Sequence, residues 1–112
     1  MKIEQSSIDN VVIFSLQGRL DYSSVDKLSK HFETALKTAS THLLLNSEKV
    51  DYIDSAGLGL LVLLLRKSEA AGKNFALCGL SPQAEKVLEL TRMTRIFSIF
   101  VNQNAALKAL VA

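Results

Sequence analysis

The sequence predicts an α/β fold: a mixed, mostly parallel β-sheet with packed helices, in the order β-β-α-β-α-β-α-β-α. Three observations lead there. Strand-like and helix-like segments alternate along the chain, which favours parallel strands joined by crossover helices. Leu43-Leu44-Leu45 and Phe75-Ala76-Leu77-Cys78 are apolar without polar alternation, as strands covered on both faces are. Gly72 and Ser81-Pro82 stand where a helix stops and the next one starts.

The elements follow in order. Lys2 to Ser7 alternates weakly and Val11 to Leu16 is rich in β-branched residues, with the turn pair Asp9-Asn10 between them. That pattern reads as a β-hairpin. Gly18-Arg19-Leu20-Asp21 leads out of it. A helix follows, capped by Ser23 or Ser24, with Ser23 and Asp26 in a loose capping-box spacing. Val25, Leu28, Phe32, Ala35, Leu36 and Ala39 recur at helical spacing between lysines and Glu33, so this helix has one buried face. His42 to Asn46 forms a short central strand, Ser47 to Tyr52 a connection, and Ile53 returns to the core. A helix from about Ala56 to Ala71 is apolar on nearly every face in its first turns; such a helix is covered on two sides or exposes an adhesive patch. Asn74 to Leu80 is the next strand, and Ser81 caps a helix with Pro82 in its first position. Ile96 to Val101 supplies the last strand and Asn104 to Val111 a short terminal helix.

Size and charge bound the function. A chain of 112 residues with 48% apolar composition is expected to make one domain over residues 1–112 with a real core. A net charge of +2 from scattered basic residues argues against a nucleic-acid surface, which carries a clustered basic footprint. The single Cys78 has no internal disulfide partner, which favours a reducing compartment, and its apolar setting points to a buried structural thiol. The N-terminal Met1-Lys2-Ile3-Glu4-Gln5 lacks an apolar signal region, and the run Leu60 to Leu65 is too short for membrane insertion. The expected location is the cytoplasm.

The chain is organised around Val50-Asp51-Tyr52-Ile53-Asp54-Ser55-Ala56-Gly57-Leu58-Gly59, where a strand becomes a helix. Ser55, just before the first helical turn, is placed to cap backbone N–H groups. The same place favours a bound or covalent anion, because the orphan N–H groups and the helix dipole point at it. These residues taken alone leave both readings open.

Ile53-Asp54-Ser55-Ala56-Gly57-Leu58-Gly59 resembles the signature of STAS domains, in particular the bacterial anti-anti-sigma factors (anti-sigma factor antagonists). Gly18-Arg19-Leu20-Asp21, Gly72, Leu80-Ser81-Pro82, and Leu90-Thr91 with Ile96-Phe97 fall in the matching order. The resemblance covers essentially the whole chain. It implies that Ser55 is phosphorylated by an anti-sigma factor that is also a serine kinase. Unphosphorylated, the protein would bind that partner and free a sigma factor; phosphorylation would block binding and a PP2C-type phosphatase would restore it. The kinase, not this chain, would use ATP, so no cofactor is implied here. The partner-binding surface implied is Asp21, Asp54, Ser55, Ala56, Gly57, Leu58 and Gly59, with Leu61 or Val62 adding contact area and the two glycines admitting close approach. Two positions depart from the family pattern: Asn46 stands where an aspartate is common and Arg92 where a glycine is frequent.

The rival functions are an enzyme and an accessory subunit. A serine hydrolase of the Gly-x-Ser-x-Gly type is not supported, because Ile53 occupies the first glycine position. Neither His31 nor His42 has a reason to reach Ser55. A phosphate-binding Gly-x-x-x-x-Gly-Lys-Ser/Thr loop is absent, and no His/Cys/Asp spacing recommends a metal. The chain is therefore expected not to be an enzyme. STAS domains also serve in lipid-transport or stress-signalling complexes, a role in which Ser55 need carry no phosphate.

Overall fold

The computed structural model describes residues 1–111. A five-stranded sheet has its strands in the order β1-β2-β3-β4-β5, with β1 (Lys2–Ile8) antiparallel to β2 (Val11–Leu20). From β2 onward all pairing is parallel, through β3 (His42–Ile53), β4 (Asn74–Cys78) and β5 (Ser98–Phe100). The helices are α1 (Val25–Leu36), α2 (Ser55–Ala70), α3 (Pro82–Leu90) and α4 (Gln103–Leu110). The expected order of elements is the observed one.

Alternation along β2 and β3 separates two cores. Val12, Phe14, Leu16, Leu43 and Leu45 face α1, α2 and α3, where Leu28, Phe32, Leu60, Leu61, Leu64 and Leu88 complete the main core. Phe14, Phe32, Phe75 and Phe97 form a chain of tilted and edge-on rings, with neighbouring centroids 5.4, 5.6 and 6.2 Å apart. Such pairs add to plain area burial. Val11, Ile13, Leu44, Ala76 and Cys78 point to the other face, where α4 covers them with Ala106. Cys78 is fully buried, and burial pushes its thiol up to about 11, so it stays protonated and unreactive at neutral pH.

Several local expectations are corrected. β3 does not end at Asn46; it runs on to Ile53 through the segment read as a connection. The reason is β2, which continues beside it with Gln17↔Lys49, Gly18↔Val50, Arg19↔Tyr52 and Leu20↔Ile53, after register shifts that break the period-two pattern. β4 and β5 are shorter than the apolar runs that contain them, because Gly79 turns at φ +69 and residues 93–95 form a 3-10 turn. Neither Ser23 nor Ser24 caps α1 with its side chain. Ser24 occupies the cap position of α1 with its hydroxyl turned back to the Asp21 backbone, and Asp21 caps the short 3-10 turn Tyr22–Ser24 ahead of it.

Other local readings agree with the structure. Ser81 Oγ accepts from the Ala84 N–H at 3.1 Å with Pro82 opening α3, and Gly72 ends α2 at φ +72. Asn46 uses both halves of its amide: Nδ2 donates to Gln103 Oε1 at 2.8 Å and Oδ1 accepts from the Glu48 N–H at 3.0 Å. An aspartate there would lose the donated bond. Arg92 sits at φ 61, the left-handed region where glycine carries no steric penalty.

Candidate functional site

Two parallel strands end side by side and place two aspartates at the C-terminal end of the sheet's strands. Leu20 closes β2 and Ile53 closes β3 in register, so Asp21 and Asp54 leave the same end. The Asp54 N–H donates to the Leu20 carbonyl at 3.4 Å, tying the two chain exits together.

The cap of α2 is Asp54, not Ser55. Asp54 has extended backbone angles, its Oδ1 accepts from the Gly57 N–H at 2.9 Å, and its carbonyl accepts the first helical bond from Leu58 at 2.9 Å. Both residues are good caps, and the aspartate takes the place one residue earlier. Ser55 is therefore the first residue of the helix and is exposed. Its hydroxyl is not used in capping. The N–H groups of Ser55 and Ala56 lie in the first turn, where no intrahelical acceptor exists, and they form the positive end of the helix dipole.

The surroundings are acidic. Asp21 Oδ1 accepts from the Ser23 hydroxyl at 2.5 Å and from the Ser23 N–H at 3.0 Å. The Ser23 hydroxyl holds the Asp21 carboxyl below the usual carboxylate range; burial opposes this, while the Ser23 N–H and the Arg19 guanidinium assist. Arg19 pairs with Asp21 at 3.5 Å and lies 4.2 Å above the Tyr52 ring. Asp51 is exposed one residue before Tyr52. Arg19 is thus the cation paired with Asp21 at this site.

The two glycines of the motif part company. Gly57 is buried, and a Cβ there would meet the Leu20 carbonyl oxygen at 2.0 Å, so its missing side chain lets α2 lie against the end of β2. A Cβ at Gly59 would meet nothing within 4 Å. Only Gly59 offers open approach. Leu61 is 1% exposed and supplies no surface, whereas Leu63 is 44% exposed and Leu58 and Val62 are half-buried. Ser55, Gly59 and Leu63 recur at four-residue spacing and make one stripe along α2.

Sequence reasoning missed two side chains here. Leu63 was hidden in an unbroken apolar run. Gln83, in the first turn of α3, bonds both backbone groups of Ile53: Oε1 accepts from the N–H at 3.0 Å and Nε2 donates to the carbonyl at 2.8 Å. The other expected site residues are placed on the Ser55 side of the molecule; His42 opens β3 at its opposite end.

A hollow of about 490 Å³ lies on the sheet face that carries α4, between Ser15, Gln17, Asn46, Lys49 and Asn102. Ser55 is not part of its lining. Among the described residues no group of three or more His, Cys, Asp or Glu is arranged to hold a metal ion, and no helix is long and apolar enough to cross a membrane.

Comparison with known proteins places this geometry in a family. The STAS domain model matches residues 2–106. The anti-sigma F factor antagonist of Paenibacillus polymyxa is 25% identical over 111 residues, covering 98% of this chain and 95% of that protein. A crystal structure of a protein from Thermotoga maritima is 27% identical with a TM-score of 0.90 over 98% of this chain and 95% of that one. The anti-sigma factor antagonist SpoIIAA, solved in its unphosphorylated form, shares the fold with a TM-score of 0.81 at 23% identity, over 99% of this chain and 98% of that one. Bacillus SpoIIAA in its phosphorylated form gives 0.73 at 23% identity, over 96% and 99%. The match of the family model over nearly the whole chain, with the fold shared by these structures, shows that this chain belongs to the STAS domain family.

Proposed function

We propose that this chain is an anti-sigma factor antagonist controlled by phosphorylation of Ser55. Unmodified, it docks on an anti-sigma factor that is also a serine kinase and so frees a sigma factor in the cytoplasm. Phosphate on Ser55 breaks that contact, and a PP2C-type phosphatase restores it. The chain itself carries out no catalysis. The observation that supports this reading is the placement of Ser55: exposed, uncommitted to capping, and first in a helix whose cap is supplied by Asp54. Relatives that align over nearly the whole chain and are named anti-sigma factor antagonists point the same way.

The physics of the switch follows from the site. A phosphoserine adds about −1.5 to −2 charges at neutral pH. The free N–H groups of the first turn and the helix dipole accommodate it, so the fold survives. Asp21, Asp51 and Asp54 already make the rim acidic, and the added charge turns a contact surface into one that repels and stays hydrated. The docking surface comprises Asp21, Ser55, Ala56, Leu58, Gly59, Val62 and Leu63, with Gly57 and Asp54 shaping it from beneath. The test is incubation with an anti-sigma factor kinase from the same organism and ATP. One phosphate is expected, absent from Ser55→Ala. No phosphate, together with stable co-purification with a membrane ATPase, is the outcome of the accessory-subunit role and would reject the switch.

A further inference from the structure

We propose that Gln83 of α3 is a positioning residue for the Ser55 turn. β4 stops pairing with β3 at Asn46↔Cys78, so the end of β3 on that side has no strand neighbour. Ile53 would be left there with a free N–H and a free carbonyl on one edge. The Gln83 carboxamide bonds both, at 3.0 and 2.8 Å, and so replaces the missing rung of the sheet with a side chain. A primary amide carries a donor and an acceptor on one planar group, as the peptide unit does, which is why glutamine fits.

The base of this clamp is rigid. Gly79 turns the chain away from β3 in the left-handed region, where a Cβ would strike Glu48 at 2.3 Å. Leu80-Ser81-Pro82 then brings α3 alongside, with Ser81 capping it and Ala84 and Leu88 buried in the main core. Gln83 occupies the second position of the helix, so its reach is fixed by three independent constraints. On the other side of the clamp, Ile53 is followed directly by the cap residue Asp54 and by Ser55. Rotation of the 53–54 peptide would turn the Asp54 carboxylate away from the Gly57 N–H and shift the start of α2. Gln83 thereby couples the first turn of α3 to the presentation of the Ser55 hydroxyl. The functional half of this inference rests on Ser55 being the phosphoacceptor.

The test uses Gln83→Met, which keeps length but removes both bonds, and Gln83→Glu, which keeps the acceptor and sets a carboxylate oxygen against the Ile53 carbonyl. Lys86→Ala, exposed on the same helix, is the control. Hydrogen exchange of the Ile53 amide in the isolated protein should rise on the order of tenfold in Gln83→Met, with the amides of Leu43 to Leu45 unchanged. The rate constant for phosphate transfer to Ser55 should fall roughly tenfold, through kcat more than KM, since a misplaced nucleophile is bound but poorly aligned. Unchanged Ile53 exchange would overturn the clamp. Faster exchange with wild-type transfer kinetics would overturn its coupling to Ser55. If the wild-type chain accepts no phosphate, the switch reading fails by itself, and Ile53 exchange with the amide shifts of Asp54 and Ser55 still decides whether Gln83 holds the turn.

Discussion

Gly57 and Gly59 stand two residues apart on α2 and serve opposite sides of it. Gly57 belongs to the interior, pressed against the last carbonyl of β2, while Gly59 belongs to the open face beside Ser55. The same division runs down the helix: Leu60, Leu61, Leu64 and Leu65 fill the core, and Leu63 stays 44% exposed among half-buried neighbours. A helix apolar on nearly every face thus has one side that builds the fold and another that stays open to solvent. The difference teaches that glycine and leucine in this motif have no single meaning; the angle around the helix decides what each one does.

Variants can break this comparison at each level. The largest effect is expected at Gly57→Ala, where the new methyl overlaps a backbone oxygen that cannot move without β2. The loss should reach about 3 kcal/mol or more in urea unfolding, with a tolerated alanine refuting the close-packing account. Next is Ser55→Asp, expected to weaken binding to the anti-sigma partner on the order of a hundredfold, about 2.7 kcal/mol, with an unchanged circular dichroism spectrum. A loss of folding there would count against a surface switch. Leu63→Ala should weaken the same binding by about 1–2 kcal/mol, read by titration calorimetry, with urea stability changed by less than that. Gly59→Ala should raise stability by about 0.5–1 kcal/mol, since an exposed helical glycine is replaced in open space. A loss of stability at Gly59 would erase the contrast with Gly57.

The smallest effect concerns acid. The Asp21 carboxyl sits below its usual value in the folded protein, so it releases its proton more readily there than in the unfolded chain. Its contribution to stability is therefore fully present above the unfolded value of about 3.9 and is lost as pH falls through the lowered folded value. Unfolding midpoints measured from pH 5 down to pH 3 should fall less steeply in Asp21→Asn than in the wild type.

Local chemistry explains how much of this was legible in the sequence. Ser81-Pro82, Gly72 and the buried Cys78 act through their own neighbours, and each is where its sequence context places it. The STAS resemblance also rested on short contiguous motifs, Ile53 to Gly59 above all, with Gly18 to Asp21 and Leu80 to Pro82 in matching order. What escaped notice depends on distant strands. β3 continues past Asn46 only because β2 lies beside it with shifted register, and no periodicity within Ser47 to Tyr52 reports that. Asp54 and Ser55 are both good caps by type, and the one that takes the position is the one whose N–H donates to the Leu20 carbonyl of a distant strand. Gln83 meets Ile53 from 30 residues away, through an amide that looks like any surface glutamine in the first turn of a helix.

The central claim is that one phosphate on Ser55 abolishes docking without disturbing the fold. Its most direct test is the affinity of the phosphorylated and unphosphorylated chains for the anti-sigma factor, measured side by side with hydrogen exchange of the core amides. The phosphorylated chain is expected to bind at least a hundredfold more weakly, with the same core protection in both forms. Equal affinities, or a phosphorylated chain whose core exchanges faster, would contradict it.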